Sequence, residues 1–354
     1  MGKPRGDTKR PPGMADVARA AGVSAQTVSR VLSGHPNVQE KTRVKVLTAV
    51  EQLGYRRNNA ARVLSSGRSR TIGVVTLQTH YYSRGLVTSG IESAARAAGY
   101  TVDVATTASL DTSAIEDALC QLSDQGVEGI VLAVPLIHTS RRIEQLTRSL
   151  PTVTVDGSRT PDTEVVAVDQ GLAARLATRH LLDLGHDTVW HVTGPEAWLE
   201  SANRRDAWRA TLEAAGRPVP PPLEGDWSPA SGHRNGLVLG RIPDVTAVFV
   251  ASDEMAFGVI KALHELGRRV PEDISVVGVD NIELAAYCRP PLTTVAQPFA
   301  EMGALAVTHL LRSIADPDAV PEPESVEPRL VVRASTAPAR RPSGARTPDG
   351  HASV

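Results

Sequence analysis

The chain has 354 residues, of which 41% are hydrophobic and 22% are charged, and its formal net charge is −1. That length accommodates a small domain of about 60 residues and a body of about 270 residues, which is large enough for two packed subdomains. No stretch approaches the roughly 20 consecutive apolar residues of a membrane helix, and the charged N-terminus lacks the apolar core of a secretion signal, so we predict a cytosolic protein. Cys120 and Cys288 lack metal-site spacing and fit reduced thiols. We predict no metal and no cofactor.

The charge is divided unevenly along the chain. Residues 1–70 contain 14 Lys or Arg and 4 Asp or Glu, a balance of +10, whereas the remainder carries −11. A basic charge run is often only a solvated face. A basic module attached to an acidic body, however, favours phosphate contacts by the module.

Residues 14–32 predict two short helices joined by a turn. Ala15, Ala18 and Ala21 lie three apart, which predicts a small inner face on the first helix. Gly22 tolerates the left-handed conformation of a helix exit, Val23 supplies an apolar contact in the turn, and the Ser24 hydroxyl caps the next helix.

The second helix is predicted to start at about Ala25, with Val28, Val31 and Leu32 facing inward. The residues predicted to face outward have short or hydrogen-bonding side chains suited to base edges and phosphates: Ala25, Gln26, Ser29 and Arg30. Any small helical hairpin shares this apolar pattern. The basic flanks favour DNA binding over that alternative.

A third helix is predicted from about Gln39 to Leu53, with Gly54 as its end. Its apolar positions at helical spacing are Val44, Leu47, Val50 and Leu53. A basic linker with a short Ala-rich helical segment follows and leads to a strand near Thr71.

The body alternates strand and helix patterns, which predicts an α/β fold with parallel sheets covered on both faces. The predicted strands are TIGVVTL, YTVDVAT, GIVLAV, VTVDG, VVAV, TVWHVTG, AVFVAS and ISVVGVD. The predicted helices lie near residues 86–98, 113–125, 141, 171–184, 203–215 and 255–266. A helix from Gln297 to about 315 and a last strand, PRLVVRAST, follow.

Ligands of parallel sheets collect at the carboxyl ends of the strands. The polar residues predicted at those ends are Asp156, Ser252, Asp253, Asp280 and Asn281, and Arg204 lies near a helix start. Carboxylate, amide and guanidinium groups together hold the hydroxyls of a neutral polyol. His80, Tyr81 and Tyr82 follow the first strand and are predicted to line the same cleft.

Acidic residues beyond strand ends also cap the next helix, so each carboxylate has an alternative role. We predict that Asp253 is a cap, because Met255 begins a helix, and that Asp280 contacts the ligand.

The segments DVARAAGVSAQTVSRVLSGHPNV, GYRRNNAARVL, VASDEMAFGVIKAL and VVGVDN together resemble the LacI family of bacterial transcription regulators. The resemblance covers roughly residues 14 to 338. It implies a helix-turn-helix head, a hinge helix that orders on operator binding, and a two-subdomain core shaped like a periplasmic sugar-binding protein.

On the DNA side, the resemblance places Ala25, Gln26 and Arg30 at recognition-helix positions and Leu64 at a leucine wedged into the minor groove. We also predict that Asn58, at the start of the predicted hinge, contacts DNA. A Leu on a short basic helix has no local core to join. It is buried either by insertion between base steps of the DNA or by ordinary packing against the domain below. The chain departs from the family pattern twice: Arg57 stands at a usual Pro, and Gln39 at a usual Ser or Thr cap.

On the effector side, the resemblance places Asp156, Arg204 and Asp280 at effector-contacting positions, with Ser252 where many members have Asn. Trp227 matches a position near the inducer in the lactose-repressor branch of the family. Its indole either stacks on a sugar or packs internally. Tyr81 completes the predicted effector set.

The predicted organisation follows from this resemblance. It comprises an N-terminal arm (1–13), a helix-turn-helix domain (14–57), a hinge helix and linker (58–70), a core (71–338) and a polar tail (339–354). The upper subdomain is expected at about 71–168 and 296–325, and the lower at about 169–295 and 326–338. The tail has no leucine heptads, which predicts a homodimer rather than a coiled-coil tetramer.

The sequence therefore predicts a nucleoid-associated repressor that a sugar or glycoside releases from a palindromic operator. A regulator of the same fold that needs a purine or other non-sugar corepressor is the alternative, and a cytosolic sugar receptor is a more distant one. Catalysis is not predicted, since the sequence shows no dinucleotide-binding or phosphate-binding loop, no nucleophile elbow and no zinc-spaced His pair.

Overall fold

The computed structural model describes residues 10, 12–32, 34–55, 67–78, 82–134, 139–156, 163–316, 318 and 323–340. The chain forms two compact units, residues 1–69 and residues 70–354. The predicted hinge positions Arg57, Asn58 and Leu64 and the cleft positions His80 and Tyr81 lie outside the described residues, and so does the Tyr82 side chain.

The first unit contains three helices: α1 (Met14–Ala21), α2 (Ala25–Leu32) and α3 (Glu40–Leu53). Gly22 and Gly54 end α1 and α3 in the left-handed conformation, with φ of 67° and 62°. The Ser24 hydroxyl accepts from the Thr27 N–H at 3.1 Å and so caps α2, as predicted.

The core of this unit differs from the predicted faces of α1 and α3. Its buried side chains are Val17, Ala18, Ala21, Val28, Val31, Val46 and Ala49. Ala15 is exposed, and Val44, Leu47 and Leu53 are 54%, 48% and 37% exposed. Strict three-residue spacing moves about 60° around a helix at each step, so it leaves any one face. The inner face of α3 follows the i, i+3, i+4 rule from Val46.

The second unit contains two six-stranded sheets. The first has the order β11-β5-β4-β3-β1-β2 and is entirely parallel. Its strands are β1 (Thr71–Leu77), β2 (Thr101–Thr107), β3 (Ile130–Ala133), β4 (Thr152–Val155), β5 (Glu164–Val168) and β11 (Glu324–Val326).

The second sheet has the order β12-β10-β9-β8-β6-β7 and is parallel except for β12, which runs antiparallel to β10. Its strands are β6 (Trp190–Thr193), β7 (Leu223–Glu224), β8 (Ala247–Val250), β9 (Ser275–Asp280), β10 (Thr293–Ala296) and β12 (Arg329–Val331).

Helices cover both faces of each sheet. Around the first sheet lie α4 (Tyr82–Ala97), α5 (Thr112–Asp124), α6 (Arg141–Ser149) and α11 (Phe299–Ala315). Around the second lie α7 (Gln170–Asp183), α8 (Leu199–Ala214), α9 (Pro229–Leu239) and α10 (Asp253–Glu265). We call these groups the first and second lobes. The predicted α/β class with parallel sheets is confirmed.

Several predicted elements need correction. Helix α4 begins at Tyr82 rather than near Leu86, α8 at Leu199 rather than Asn203, and α11 at Phe299 rather than Gln297. Helix α9 and the short strands β7 and β11 were not predicted. Within the described residues, no helix combines the length and apolar composition needed to cross a bilayer.

Candidate functional site

In the first unit, helix α2 presents a short polar surface. Ala25, Gln26, Ser29 and Arg30 are all exposed, as predicted, because Val28 and Val31 turn the opposite face into the core. A hydrogen bond of 2.9 Å between the Ser24 and Thr27 hydroxyls supports the first turn of this helix. The surface is therefore free of bulky apolar side chains.

In the second unit, a cleft lies between the two lobes. Its lining comes from both lobes: Ser83, Arg84, Val87, Asp156, Gln170, Trp198, Glu200, Arg204, Trp227, Ser252, Glu254, Asp280, Gln297 and Phe299. The predicted residues Asp156, Arg204, Trp227, Ser252 and Asp280 thus meet in one place.

Strand ends deliver the acidic side chains to the cleft. Asp156 follows β4 with φ of 52°, and its carboxylate accepts from the Val168 N–H at 3.1 Å. Asp280 ends β9 with φ of 114°, and its carboxylate accepts from the Gln297 side-chain amide. Positive φ is uncommon for residues other than glycine and is concentrated at functional sites. Both backbones turn sharply where the strands stop.

Arg204 lies on α8 and is only 4% exposed. Its Nε donates to Gln170 Oε1 at 2.8 Å, and its Nη1 donates to the Ala251 carbonyl at 2.6 Å. The guanidinium carbon lies 5.7 Å from the centre of the Trp227 ring, within cation–π range. These contacts hold the guanidinium in one orientation.

Two glutamines link the lobes behind Arg204. The Gln170 amide donates to Gln297 Oε1 at 2.9 Å, and the Gln297 amide continues the chain to Asp280. Gln297 lies in the segment between β10 of the second lobe and α11 of the first. A continuous chain of hydrogen bonds therefore runs from Arg204 through that connection.

Arg84 and Glu200 form an ion pair across the cleft. Arg84, on α4, donates to Glu200, on α8, at 3.0 Å, and the two side chains are 9% and 10% exposed. Arg84 also lies 5.5 Å from the centre of the Trp198 ring. Neither partner was predicted.

Two indoles form the apolar wall of the cleft. The Trp198 and Trp227 rings meet edge to face, with centroids 5.7 Å apart. Trp227 is 7% exposed, so its indole is a buried part of this wall. Its ring lies over Gly194, where a Cβ atom would approach to 2.1 Å.

The predicted cap at the β8–α10 junction is wrong, although Ser252 lines the cleft as predicted. Ser252, not Asp253, is the N-cap of α10, and its hydroxyl accepts from the Met255 N–H at 3.2 Å. Asp253 is fully buried and accepts from the Ile282 N–H and the Thr294 hydroxyl. Its carboxylate therefore ties α10 to the segments after β9 and in β10. Sequence spacing does not distinguish these roles, since both residues lie within one position of the helix start.

Burial dominates the electrostatics of the cleft. It raises the pKa of Asp280 to about 7, although the nearby Arg204 opposes this shift. It also raises the pKa of Asp156, against the charge of Arg84, and the pKa of Glu200 for the same reason. Loss of water, rather than repulsion between carboxylates, is the main cause in each case. No group of acidic, His or Cys side chains among the described residues has the arrangement of a metal site.

Sequence reasoning missed nine of the lining residues: Ser83, Arg84, Val87, Gln170, Trp198, Glu200, Glu254, Gln297 and Phe299. Gln170 and Gln297 closely follow the ends of β5 and β10. The rule that ligands bind at the carboxyl ends of parallel strands therefore predicts both residues as candidates. Arg84 and Glu200 lie inside helices, where a charged residue reads as solvent-facing. Only the packing of the lobes brings them together.

A basic helix-turn-helix unit joined to a two-lobed α/β core with a polar cleft defines a ligand-responsive DNA-binding regulator. Residues 13–58 match the family of bacterial regulatory proteins, lacI family, and residues 178–336 match the periplasmic binding protein-like domain. The chain belongs to the lacI family. It is 34% identical over 328 residues to the ribose operon repressor of Escherichia coli (strain K12), covering 91% of this chain and 99% of the relative.

Solved structures agree with this assignment. A crystal structure of the Lac repressor dimer bound to operator and the anti-inducer ONPF has a TM-score of 0.84 and 33% identity, covering 93% of this chain and 100% of that one. A complex of the transcriptional regulator CelR with cellobiose has a TM-score of 0.68 and 30% identity, covering 92% and 99%.

Proposed function

We propose that this protein is a transcriptional repressor that binds a near-palindromic operator as a homodimer and is released when a sugar or glycoside occupies the cleft. The observation that carries the proposal is the convergence of Asp156, Arg204, Asp280 and Trp227 on one cleft. Carboxylates and a guanidinium bind hydroxyl groups, and an indole packs on the apolar face of a sugar ring. Relatives described as a ribose repressor and a cellobiose complex support this ligand class.

On the DNA side, the exposed face of α2 is the proposed reading surface. Gln26 and Arg30 have the side chains that contact base edges and phosphates, and Ala25 and Ser29 permit close approach. Asn58 and Leu64 extend the proposed interface through the hinge, with Leu64 wedged into the minor groove. The similar Lac repressor structure is a dimer bound to operator, which supports operator binding by this chain.

The proposed dimer contact lies on the second lobe. Leu284 and Tyr287 are 56% and 76% exposed beside a depression that Phe257 and Ile260 also line. An exposed apolar patch of this kind marks an interface with another protein chain. The similar Lac repressor structure is a dimer. We therefore propose that a second copy of this chain packs on this patch.

The proposed switch uses the two lobes as upper and lower subdomains, with the boundaries predicted from sequence. An effector that binds one arrangement of the lobes better than the other shifts the population and lowers operator affinity. A coupling of about 3 kcal/mol changes affinity by roughly a hundredfold.

The test is fluorescence anisotropy of a labelled duplex from the upstream region of the protein's own gene, at two salt concentrations and then with a sugar panel. Tight binding that weakens with salt and is reversed by one sugar supports the proposal. Binding strengthened by a purine would instead identify a corepressor. Failure to bind the duplex under any condition would contradict the repressor function.

A further inference from the structure

The Arg84–Glu200 pair is unusual because it joins the two lobes inside the proposed effector cleft. Arg84 comes from α4 of the first lobe and Glu200 from the first turn of α8 in the second. Their 3.0 Å contact is enclosed, with both residues 8% exposed. A buried ion pair is costly to form unless the remaining hydrogen-bonding capacity of both groups is used.

That capacity is not fully used by the residues that the structure describes. Glu200 Oε2 is buried with no hydrogen-bond partner among them, and neither has Trp227 Nε1. Both residues line the cleft, so an acceptor oxygen and a donor N–H are available at the same site. Buried polar groups are nearly always paired, so these two atoms are candidates to bind a ligand or a water molecule in the cleft.

The charges of the described lining residues restrict that ligand further. Four carboxylates, of Asp156, Glu200, Glu254 and Asp280, face two guanidiniums. Arg84 is paired with Glu200, and Arg204 is held by Gln170 and the Ala251 carbonyl. Each guanidinium has further N–H donors, but an anionic ligand that reaches them lies among these acidic side chains.

We propose that Arg84 and Glu200 are specificity-determining residues of this cleft, and that Glu200 accepts a hydrogen bond from a neutral, hydroxyl-bearing effector while the pair excludes phosphorylated and carboxylated sugars. This inference rests on the proposed function. Arg84 holds Glu200 Oε1, which leaves Oε2 as the acceptor for a ligand hydroxyl. The Trp227 N–H supplies the complementary donor for a ligand oxygen.

The proposed discrimination depends on the different free-energy cost of placing a neutral hydroxyl or an anionic group beside Glu200. A hydroxyl satisfies Glu200 Oε2 without disturbing the ion pair. An ionised phosphate or carboxylate group placed at that oxygen cannot donate a hydrogen bond to it and adds a like charge beside it, so the site disfavours anionic sugars.

The experiment uses the full chain and three neutral sugars, ribose, glucose and cellobiose, with ribose 5-phosphate, glucose 6-phosphate and glucuronate as anionic counterparts. Binding is followed by intrinsic fluorescence, since Trp198 and Trp227 line the cleft, and by the thermal unfolding midpoint. We expect at least one neutral sugar to bind, and its anionic counterpart to bind at least tenfold more weakly.

The variants are Glu200→Gln and Arg84→Gln. Each should weaken neutral-sugar binding at least tenfold, and Glu200→Gln should narrow the neutral-to-anionic ratio because it removes a carboxylate charge. The matched controls, Glu213→Gln on α8 and Arg96→Gln on α4, change exposed residues outside the cleft and should bind as the unaltered protein does. If Glu200→Gln fails to fold, Glu200→Asp keeps the charge but shortens the reach, so it should lose affinity and keep the discrimination.

The outcomes separate the two proposals. If neutral sugars bind but the binding and the neutral-to-anionic ratio survive both Glu200 variants, the assignment of this pair is wrong while the sugar-responsive function stands. Preference of the unaltered protein for an anionic sugar would also overturn the inference alone. If none of the three neutral sugars binds, the inference fails together with the effector class from which it starts.

Discussion

At the scale of single residues, Trp227 owes its position to Gly194. A Cβ atom at residue 194 would lie 2.1 to 2.6 Å from three ring carbons of the indole. The ring and the glycine therefore fit together only because one side chain is missing, and the wall of the cleft depends on that fit.

Gly194→Ala should displace the indole and weaken effector binding, and it should lower the free energy of unfolding by about 1–3 kcal/mol, as overpacking does. Urea unfolding and intrinsic fluorescence measure the two effects. The matched control is Gly85→Ala on α4, where an added Cβ meets no described atom within 4 Å. Unchanged stability and fluorescence in Gly194→Ala would show that Trp227 is not fixed by this contact.

Arg204 is the residue whose loss should separate the two activities. Arg204→Ala leaves Gln170 Oε1 and the Ala251 carbonyl without their donor, which costs about 1–3 kcal/mol for each unpaired buried group. The effector response should disappear while operator affinity in anisotropy titrations is kept. Arg209→Ala, at an exposed position of the same helix, is the control. A normal response from the Arg204 variant would remove this residue from the site.

We expect buried His191 to make the stability of the fold sensitive to acid. Its fully buried ring stacks on Phe249 at 4.4 Å, and Nδ1 donates to the Phe249 carbonyl at 2.9 Å. Burial lowers its pKa from 6.5 to about 3. Between those values the unfolded chain binds a proton that the folded chain does not, so the stability contributed by this group is lost as the pH falls from about 6.5 towards 3.

His191→Phe keeps the stacking but loses the hydrogen bond. We expect lower stability than the unaltered protein at pH 7 and a shallower loss between pH 6.5 and 4, with the difference in slope at most about 1.4 kcal/mol per pH unit. Chemical unfolding at several pH values measures this. Parallel pH profiles would show that another group causes the acid sensitivity. The pKa of Asp280 is raised, so its contribution to stability increases as the pH falls, opposite to that of His191. This contribution is the same in both proteins.

At the scale of elements, helix α9 shows where local propensity fails. The segment from Pro229 contains Gly232 and Gly236, and glycine disfavours a helix. In the structure, a Cβ atom at Gly232 would lie 2.0 Å from the Met255 carbonyl oxygen, and one at Gly258 would lie 2.0 Å from the Pro229 carbonyl oxygen. The glycines permit close packing of α9 on α10, so tertiary contact makes the helix that propensity disfavours.

Helix α2 carries the prediction for DNA recognition. Arg30→Ala should weaken operator binding by about 1–3 kcal/mol and, if the contact is to phosphate, reduce the slope of log K against log salt by about 1. Anisotropy at several salt concentrations measures both quantities. The control is Arg217→Ala, which makes the same charge change at an exposed residue just after α8, in the second unit. Equal effects of the two variants would show that only net charge matters.

At the scale of the whole molecule, the apolar patch on the second lobe predicts the oligomeric state. Leu284→Asp places a charge in the proposed contact and should give a monomer with weakened operator binding, because two heads no longer act together. Sedimentation velocity measures the mass. Val332→Asp, at an apolar side chain that is 59% exposed, is the control. A stable dimer of the Leu284 variant would move the interface elsewhere.

The sequence by itself determined most of the elements and the class of the protein. Capping signals bounded α1 and α2, alternating patterns predicted two covered parallel sheets, and strand ends identified Asp156 and Asp280. These features are local, since a turn residue or a strand end depends on neighbours within a few positions of the chain.

Only the tertiary structure decided which side chains meet across the cleft. Arg84 and Glu200 are 116 residues apart, and Gln170 and Gln297 are 127 apart, so no local pattern relates them. The same holds for the inner face of α3 and for the capping of α10 by Ser252 instead of Asp253. Burial and pairing in this molecule depend on how the lobes and helices pack, and that packing is a property of the whole chain.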